Sequence, residues 1–562
     1  MYDILIKNGK IVDGTGNPWF RADVAVKNGR ISKVGRLVYA KAKDVIDAGG
    51  LVVSPGFIDM HSHSDFAIPF DPKASSALHQ GVTTMVVGNC GMSLAPVSRD
   101  RKDLLMEYLS PFLPHSEILK VQWSSFSDYL RYQGKIECSL NIVNLVGHGT
   151  IRIAVMGFEE RDPTKKEIEN MSVLVAEAME AGAFGMSSGL IYSPGIYSKT
   201  NELIELSKVV SKYGGIYTSH IRGESANLIE SVKEAIEIGE KSDTPVEISH
   251  HKAAGRPQWG KSKETLKLME DARSRGVDVT CDQYPYEAGM TSLIMLLPPW
   301  VHEGGMDKII ERLEKPDQRE RIRRDIQEGI PGWDNLLENC GWENIFLSYV
   351  GSEKNKFLEG KNLIQITKLA GKPDELTALF DLILEEKGRA SMVVFEMNED
   401  DILRIMQHPL TMIGTDSWAV STEGVLNIGK PHPRFYGTYP KILGGYVREK
   451  GVLSLEKAVN KMTSFPAQKV GLLDRGIIRE GMWADIVVFN ENEIKDKATY
   501  GDPHQYAEGI EYVLVNGKMT IVHGKYQNIA AGKVLLHKPL ESQNSSFLNY
   551  KDRVSILLGL PR

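Results

Sequence analysis

The rhythm of apolar and polar positions changes twice along this chain. Over the first 54 residues short apolar runs alternate with turns: Ile4-Leu5-Ile6, Gly9-Lys10-Ile11-Val12-Asp13-Gly14, Ala22-Asp23-Val24-Ala25-Val26 and Gly29-Arg30-Ile31. Such runs predict strands, with Asn8-Gly9 and Asn28-Gly29 as hairpin signals. The same texture returns near the other end in Ala484–Phe489 and Tyr512–Lys518, again with an Asn-Gly turn at 516–517. Residues 1–54 and 470–540 are therefore expected to meet in one small β-sandwich domain.

Between them, in residues 55–469, strand and helix patterns alternate. Apolar strands are expected at 51–60, 83–88, 140–147, 183–190, 214–220, 245–250, 277–284 and 410–416, with amphipathic helices at 165–181, 201–213, 227–241 and 261–275. Eight strand–helix units predict an α/β fold, a (β/α)8 barrel of the TIM type. About 125 residues separate the seventh and eighth strands, far more than a crossover requires. The insert, at about 287–405, is expected to cover the barrel mouth, and Leu293–Leu297 within it suit either a hydrophobic pocket or the core of the cover. Residues 541–562 form a C-terminal tail, polar until Val554-Ser555-Ile556-Leu557-Leu558, which suits docking on the body or on a partner.

Composition narrows the function classes. The 562 residues carry a net charge of −6, 42% hydrophobic and 25% charged positions, which argues against nucleic acid or an anionic membrane as the main partner. No apolar run is long enough to span a membrane, and the N-terminus lacks the basic leader of an export signal. Cys90, Cys138, Cys281 and Cys340 are too scattered for a disulfide framework. A cytoplasmic location and a small-molecule partner are expected; oligomeric state is left open.

The chemistry concentrates at strand ends. Gly56-Phe57-Ile58-Asp59-Met60-His61-Ser62-His63 leads an apolar strand into two histidines on the same face. A lone strand histidine is usually a satisfied core residue, but a pair in phase is half of a divalent-metal site. Cys90 follows the second strand, His220 ends the fifth, His250 the sixth and Asp416 the eighth. The C-terminal face is where barrels of this type carry their active sites. Nitrogen, sulfur and oxygen donors together suit zinc. An isolated aspartate there would be an ordinary turn residue; Asp416 gains meaning from the histidines.

This layout resembles the amidohydrolase superfamily, and more closely its N-acyl-D-amino-acid deacylases. The resemblance rests on the His61–His63 segment, Gly81–Gly91 with Asn89-Cys90-Gly91, Ser187-Ser188-Gly189-Leu190-Ile191-Tyr192, Ser219-His220-Ile221-Arg222-Gly223-Glu224, Ser249-His250-His251-Lys252 and His432–Thr438. Many binuclear relatives bridge two metals with a carbamylated lysine from strand four; here that strand has no lysine, and the resemblance implies that Cys90 takes its place. It further implies a tight zinc site of Cys90, His220 and His250, a second and weaker position at His61, His63 and Asp416, and Asp416 as general base and acid. Lys252, Tyr284 and Arg434 match positions that hold the substrate α-carboxylate, and Tyr192 lines the pocket. A charged surface side chain is ordinarily solvated, but Lys252 shares the strand face of His250. His148 is either a support or a structural residue, and His251 points away. The implied reaction is hydrolysis of N-acyl-D-amino acids. The rivals are a cyclic amidohydrolase of the hydantoinase or dihydropyrimidinase kind and a non-catalytic barrel scaffold.

Overall fold

The computed structural model describes residues 1–113, 119–538 and 550–559. Eight strands run through the middle of the chain: β1 (Phe57–Asp59), β2 (Val82–Val87), β3 (Asn141–Asn144, continued by Val146–Gly147), β4 (Gly185–Gly189), β5 (Ile216–His220), β6 (Val246–Ile248), β7 (Val279–Gln283) and β8 (Thr411–Ile413). Each pairs in parallel with the next. The ring closes between β8 and β1, where Met60 N donates to Ile413 O at 3.2 Å and Asp416 N to His61 O at 2.7 Å. These strands are short and buried on both faces, which accounts for their nearly continuous apolar runs.

Helices α1 (Lys165–Ala181), α2 (Thr200–Lys212), α3 (Leu228–Ser242) and α4 (Ser262–Ser274) fall where the amphipathic spacing placed them. In α1, Met171, Leu174, Val175 and Ala178 follow an i, i+3, i+4, i+7 stripe and are at most 1% exposed, packed into the core between helices and strands. Its start is set by a reciprocal pair: the Thr164 side chain accepts from Glu167 N, and Glu167 accepts from Thr164 N. A cap of this kind contributes about 1 kcal/mol.

Both chain ends join one hydrogen-bonded sheet of nine strands, in which Ile486–Phe489 pairs antiparallel with Val52–Pro55, itself beside Tyr2–Ile11. The apolar run 51–60 is thus two strands: its first half belongs to this sheet and its second half is β1. Asn28-Gly29 and Asn516-Gly517 are hairpin turns as expected, with Lys27 opposite Arg30 and Val515 opposite Lys518. Asn8-Gly9 is not. Tyr2–Ile11 runs on as one strand whose register shifts between Ile6 and Gly9, with Asn8 at φ +63°. The left-handed conformation that suits asparagine in a turn also suits a bulge.

The insert between β7 and β8 builds an antiparallel three-stranded sheet from Ala288–Ser292, Ser391–Phe395 and Ile345–Tyr349, with helices Met306–Glu314, Pro316–Glu328, Leu363–Leu369 and Glu375–Glu385. Leu293, Leu296 and Leu297 fill the insert's own core with Val301, Phe380 and Ile383. Of the two uses open to Leu293–Leu297, these three leucines serve packing. Helix Tyr550–Leu557 buries Val554 against the body, and Leu558 O accepts from Arg99 N at 3.2 Å. The rest of the expected tail, 539–549 and 560–562, lies outside the described residues.

Candidate active site

The six expected donors converge at the C-terminal ends of the barrel strands. Cys90 Sγ lies 3.3 Å from His61 Nε2 and 3.6 Å from His250 Nε2. Asp416 Oδ1 is 3.3 Å from His63 Nε2 and 3.6 Å from His61 Nε2. The rings of His220 and His250 meet edge to face, centroids 4.4 Å apart. Cys90 therefore sits between the two histidine pairs.

Backbone strain marks the same residues. Cys90, His250 and Asp416 have φ of +53°, +36° and +49°, a region that costs a residue with a Cβ about 1–2 kcal/mol. The sharp turn out of each strand aims the side chain back across the barrel axis. Room for the Cys90 turn comes from Gly189 at the end of β4, where an added Cβ would lie 2.1 Å from Cys90 O. We expect Gly189→Ala to displace Cys90 and lower zinc retention about a hundredfold, since an ångström of misplacement carries that scale of penalty. Zinc content after dialysis, read beside the melting temperature, separates displaced ligands from a destabilised barrel.

The cluster has the properties of a cation site. Donor atoms form three groups, His61/Cys90/His250, His61/His63/Asp416 and His220/Glu224/His250, each within 4.8 Å. Tetrahedral bonds of about 2.0–2.3 Å separate neighbouring donors by roughly 3.3–3.8 Å. The Cys90–His61, Cys90–His250, Asp416–His63 and Asp416–His61 spacings meet this, while the expected set Cys90, His220 and His250 is not itself one of the three groups. Both ring nitrogens of His220, and Nδ1 of His63, are buried with no hydrogen-bond partner among the described residues. Interiors rarely leave such groups unsatisfied. Burial alone would raise the Cys90 thiol, but His61 and His63 bring it well below its ordinary value. Cys138, by contrast, is pushed up to about 11 by burial, and Cys281 and Cys340 are raised as well. Cys90 alone of the four is shifted towards the thiolate. Burial opposes the charge on Asp416 too, yet Arg434 and His250 hold its carboxyl well below the usual carboxylate range.

Carboxylates behind the cluster orient it. Asp59 accepts from Thr415 Oγ1 at 2.6 Å, Thr415 N at 2.8 Å and His61 N at 3.3 Å, tying the end of β1 to the segment that carries Asp416. Asp282 Oδ1 accepts from His250 N at 2.9 Å, while its Oδ2 is 3.4 Å from His61 Nδ1. Glu224 Oε1 is 3.0 Å from His250 Nδ1 and 2.6 Å from Lys252 Nζ. Metal-binding histidines are characteristically held this way through the second ring nitrogen. Lys252 thus lines the site with its ammonium already engaged. His148 bonds Glu202 at 2.8 Å, and Glu202 also pairs with Arg152 at 2.5 Å, a structural network. His251 bonds Thr265 of α4 at 2.7 Å and packs outward, as expected.

A cavity of about 110 Å³ opens over the donors. Tyr192, Tyr284 and Arg434 line it from the barrel side, and Met290, Leu336, Val394 and Glu396 from the insert. Arg434 donates to Asp416 Oδ2 at 2.9 Å and stacks its guanidinium on Tyr284, 4.5 Å from the ring centre. Its Nε and Nη1 are buried without partners. They lie on opposite edges of the guanidinium, whose shared Nη2 is taken by Asp416, so each edge keeps one N–H for a further acceptor. Tyr192 lies edge-on to His220 at 5.1 Å. Of the residues not anticipated, Glu224 had a signal, four positions after His220 in the same loop. Asp59 and Asp282 had a weaker one, as acids inside apolar strands. Glu396 had none, because nothing local says that its strand folds back over the barrel.

Known proteins resemble this chain over nearly its whole length. The amidohydrolase family model matches residues 44–301 and 363–521. A D-aminoacylase of Alcaligenes xylosoxydans xylosoxydans is 35% identical over 95% of this chain and 97% of its own length. An N-acyl-D-glutamate deacylase of the same organism is 36% identical over 92% and 93%. The crystal structure of N-acyl-D-glutamate deacylase from Bordetella bronchiseptica, complexed with zinc and a phosphonate mimic of the tetrahedral intermediate, superposes with a TM-score of 0.79 at 33% identity, covering 95% and 99% of the two chains. A D-hydantoinase structure, at 17% identity and a TM-score of 0.52, shares the fold alone. By fold, by the family model and by near full-length similarity, the chain belongs to the amidohydrolase family.

Proposed function

We propose that this protein is a zinc-dependent deacylase that hydrolyses the amide of N-acyl-D-amino acids, releasing a carboxylate and the free D-amino acid. One observation carries the reading: a soft and hard donor set and an arginine with unpaired donors line the same small cavity. Cys90, His220 and His250 would hold zinc tightly, since a thiolate with two imidazoles is the softer set; His61, His63 and Asp416 would hold a second ion more weakly. Bound zinc supplies Lewis acidity, polarising the amide carbonyl and bringing the ionisation of water towards neutrality.

The chain's own groups do the rest. Asp416, ionised and fixed by Arg434, takes a proton from water on Oδ1 and returns it to the departing amine, which cannot leave unprotonated. An unpaired N–H of Arg434, whose guanidinium stacks on Tyr284, donates to the α-carboxylate. Lys252 keeps Glu224 and His250 in place, and Tyr192 walls the cavity. In this reading the barrel, 55–469, carries the catalysis and the sheet of both chain ends supports it. Four buried free cysteines favour a reducing cytoplasm; no helix among the described residues is long and apolar enough to cross a membrane. A pure scaffold would have no use for ligands held in strained backbone, which disfavours that rival. The similarity to relatives that open linear amides disfavours the cyclic one.

The clamp is tested by comparing N-acetyl-D-methionine with its methyl ester. Esterification should lower kcat/KM about ten- to a hundredfold, the scale of one charge-assisted hydrogen bond. Arg434→Met should penalise the acid far more than the ester. Equal losses on both, or indifference to esterification, would remove the clamp from the mechanism.

A further inference from the structure

The relatives do not decide which amino-acid side chain the site accepts, because D-aminoacylase and N-acyl-D-glutamate deacylase are equally similar to this chain. The cavity itself carries information on that point. Two cations line it, Lys252 and Arg434. The Lys252 ammonium is held by Glu224 at 2.6 Å. Arg434 is paired with Asp416 at 2.9 Å, and its unpaired donors include the one assigned to the α-carboxylate. A second carboxylate on the substrate would find no free cation among the described lining residues.

It would instead meet Glu396. This residue follows Ser391–Phe395, the central strand of the insert's sheet, and lines the cavity beside Val394, Met290 and Leu336. Its carboxyl has no hydrogen bond or ion pair among the described residues, and Oε1 lies over Gly289, 2.7 Å from where a Cβ would be. Burial raises it to about 7, against the pull of Lys252. Phe112, Ile191, Trp418 and Phe435 add apolar surface to the wall, with Thr291 and Ser391 as neutral polar positions.

We propose that Glu396 is a specificity-determining charge filter: the site takes N-acyl-D-amino acids with neutral, apolar side chains and excludes those of D-glutamate and D-aspartate. The proposal rests on the deacylase reading above. Glu396 lines the same cavity as Tyr192, Tyr284 and Arg434, so a side chain that enters there comes near this carboxyl. Two like charges there repel, up to the cost of protonating one of them, which at pH 8 is about tenfold for a carboxyl raised to about 7. Rejection by repulsion needs no contact with the preferred substrate, which is how discrimination between ligands of similar size is commonly built.

The experiment measures kcat/KM at pH 8 for N-acetyl-D-leucine, N-acetyl-D-glutamine and N-acetyl-D-glutamate on the zinc-loaded enzyme and on Glu396→Gln and Glu396→Ala. The wild-type ratio of glutamine to glutamate substrate should be about tenfold at pH 8, and both variants should bring it close to one. The ratio isolates charge, because the two substrates have nearly the same shape and a general loss of packing lowers both rates. Equal rates on glutamine and glutamate in the wild type, or a ratio that neither variant changes, would overturn the filter while leaving the deacylase reading intact. No hydrolysis of any D substrate would overturn both.

Discussion

Cys90→Ala is expected to lose tightly held zinc and to lower turnover by more than about a hundredfold, while the barrel stays folded. Removing a group that merely orients a metal ligand already costs about 10–100-fold. Cys90 does more than that: its sulfur lies 3.3 Å and 3.6 Å from two imidazoles and joins the two histidine pairs. β4 carries no lysine to join the two histidine pairs in its place, and Gly189 leaves only space for the Cys90 turn. The controls are internal to the chain. Cys138, Cys281 and Cys340 are buried thiols outside the cluster, so each should tolerate alanine with a loss of about 1–2 kcal/mol in stability and no change in zinc. Metal analysis with thermal melting on the four variants checks this. Full zinc and full rate in Cys90→Ala would remove the cysteine from the site.

Asp416→Asn should separate metal binding from proton transfer. Asparagine keeps the shape, tolerates the φ of +49° and leaves the backbone bond from residue 416 to His61 O in place. It cannot accept a proton, so turnover should fall about a hundredfold or more, the usual scale for a positioned acid–base group. Zinc held at Cys90, His220 and His250 should remain. Both quantities are read from one sample, and near-normal turnover with zinc present would assign the proton transfer elsewhere.

What the chain discloses in advance depends on how local the governing physics is. The helices are legible because their apolar stripes repeat every three or four residues, and the barrel strands because they are buried on both faces. Strand ends carrying His61, His63, Cys90, His220, His250 and Asp416 are legible because the fold class says which end of a barrel strand matters. Two things were not. Asn8-Gly9 supplies the same left-handed backbone to a bulge as to a turn, and only the partner strand decides between them. The engagement of Lys252 by Glu224, and the approach of Glu396, depend on a loop and an insert returning over the barrel across long sequence separations. No periodicity encodes those returns.

The most direct test of the account is metal removal and return with a pair of enantiomers as substrates. The purified protein is stripped with a chelator, titrated with zinc, and assayed on N-acetyl-D-methionine and N-acetyl-L-methionine. Hydrolysis of the D form should vanish on stripping and return with the first equivalent of zinc, with little turnover of the L form at any point. Turnover that survives without metal, or equal rates on the two enantiomers, would contradict it.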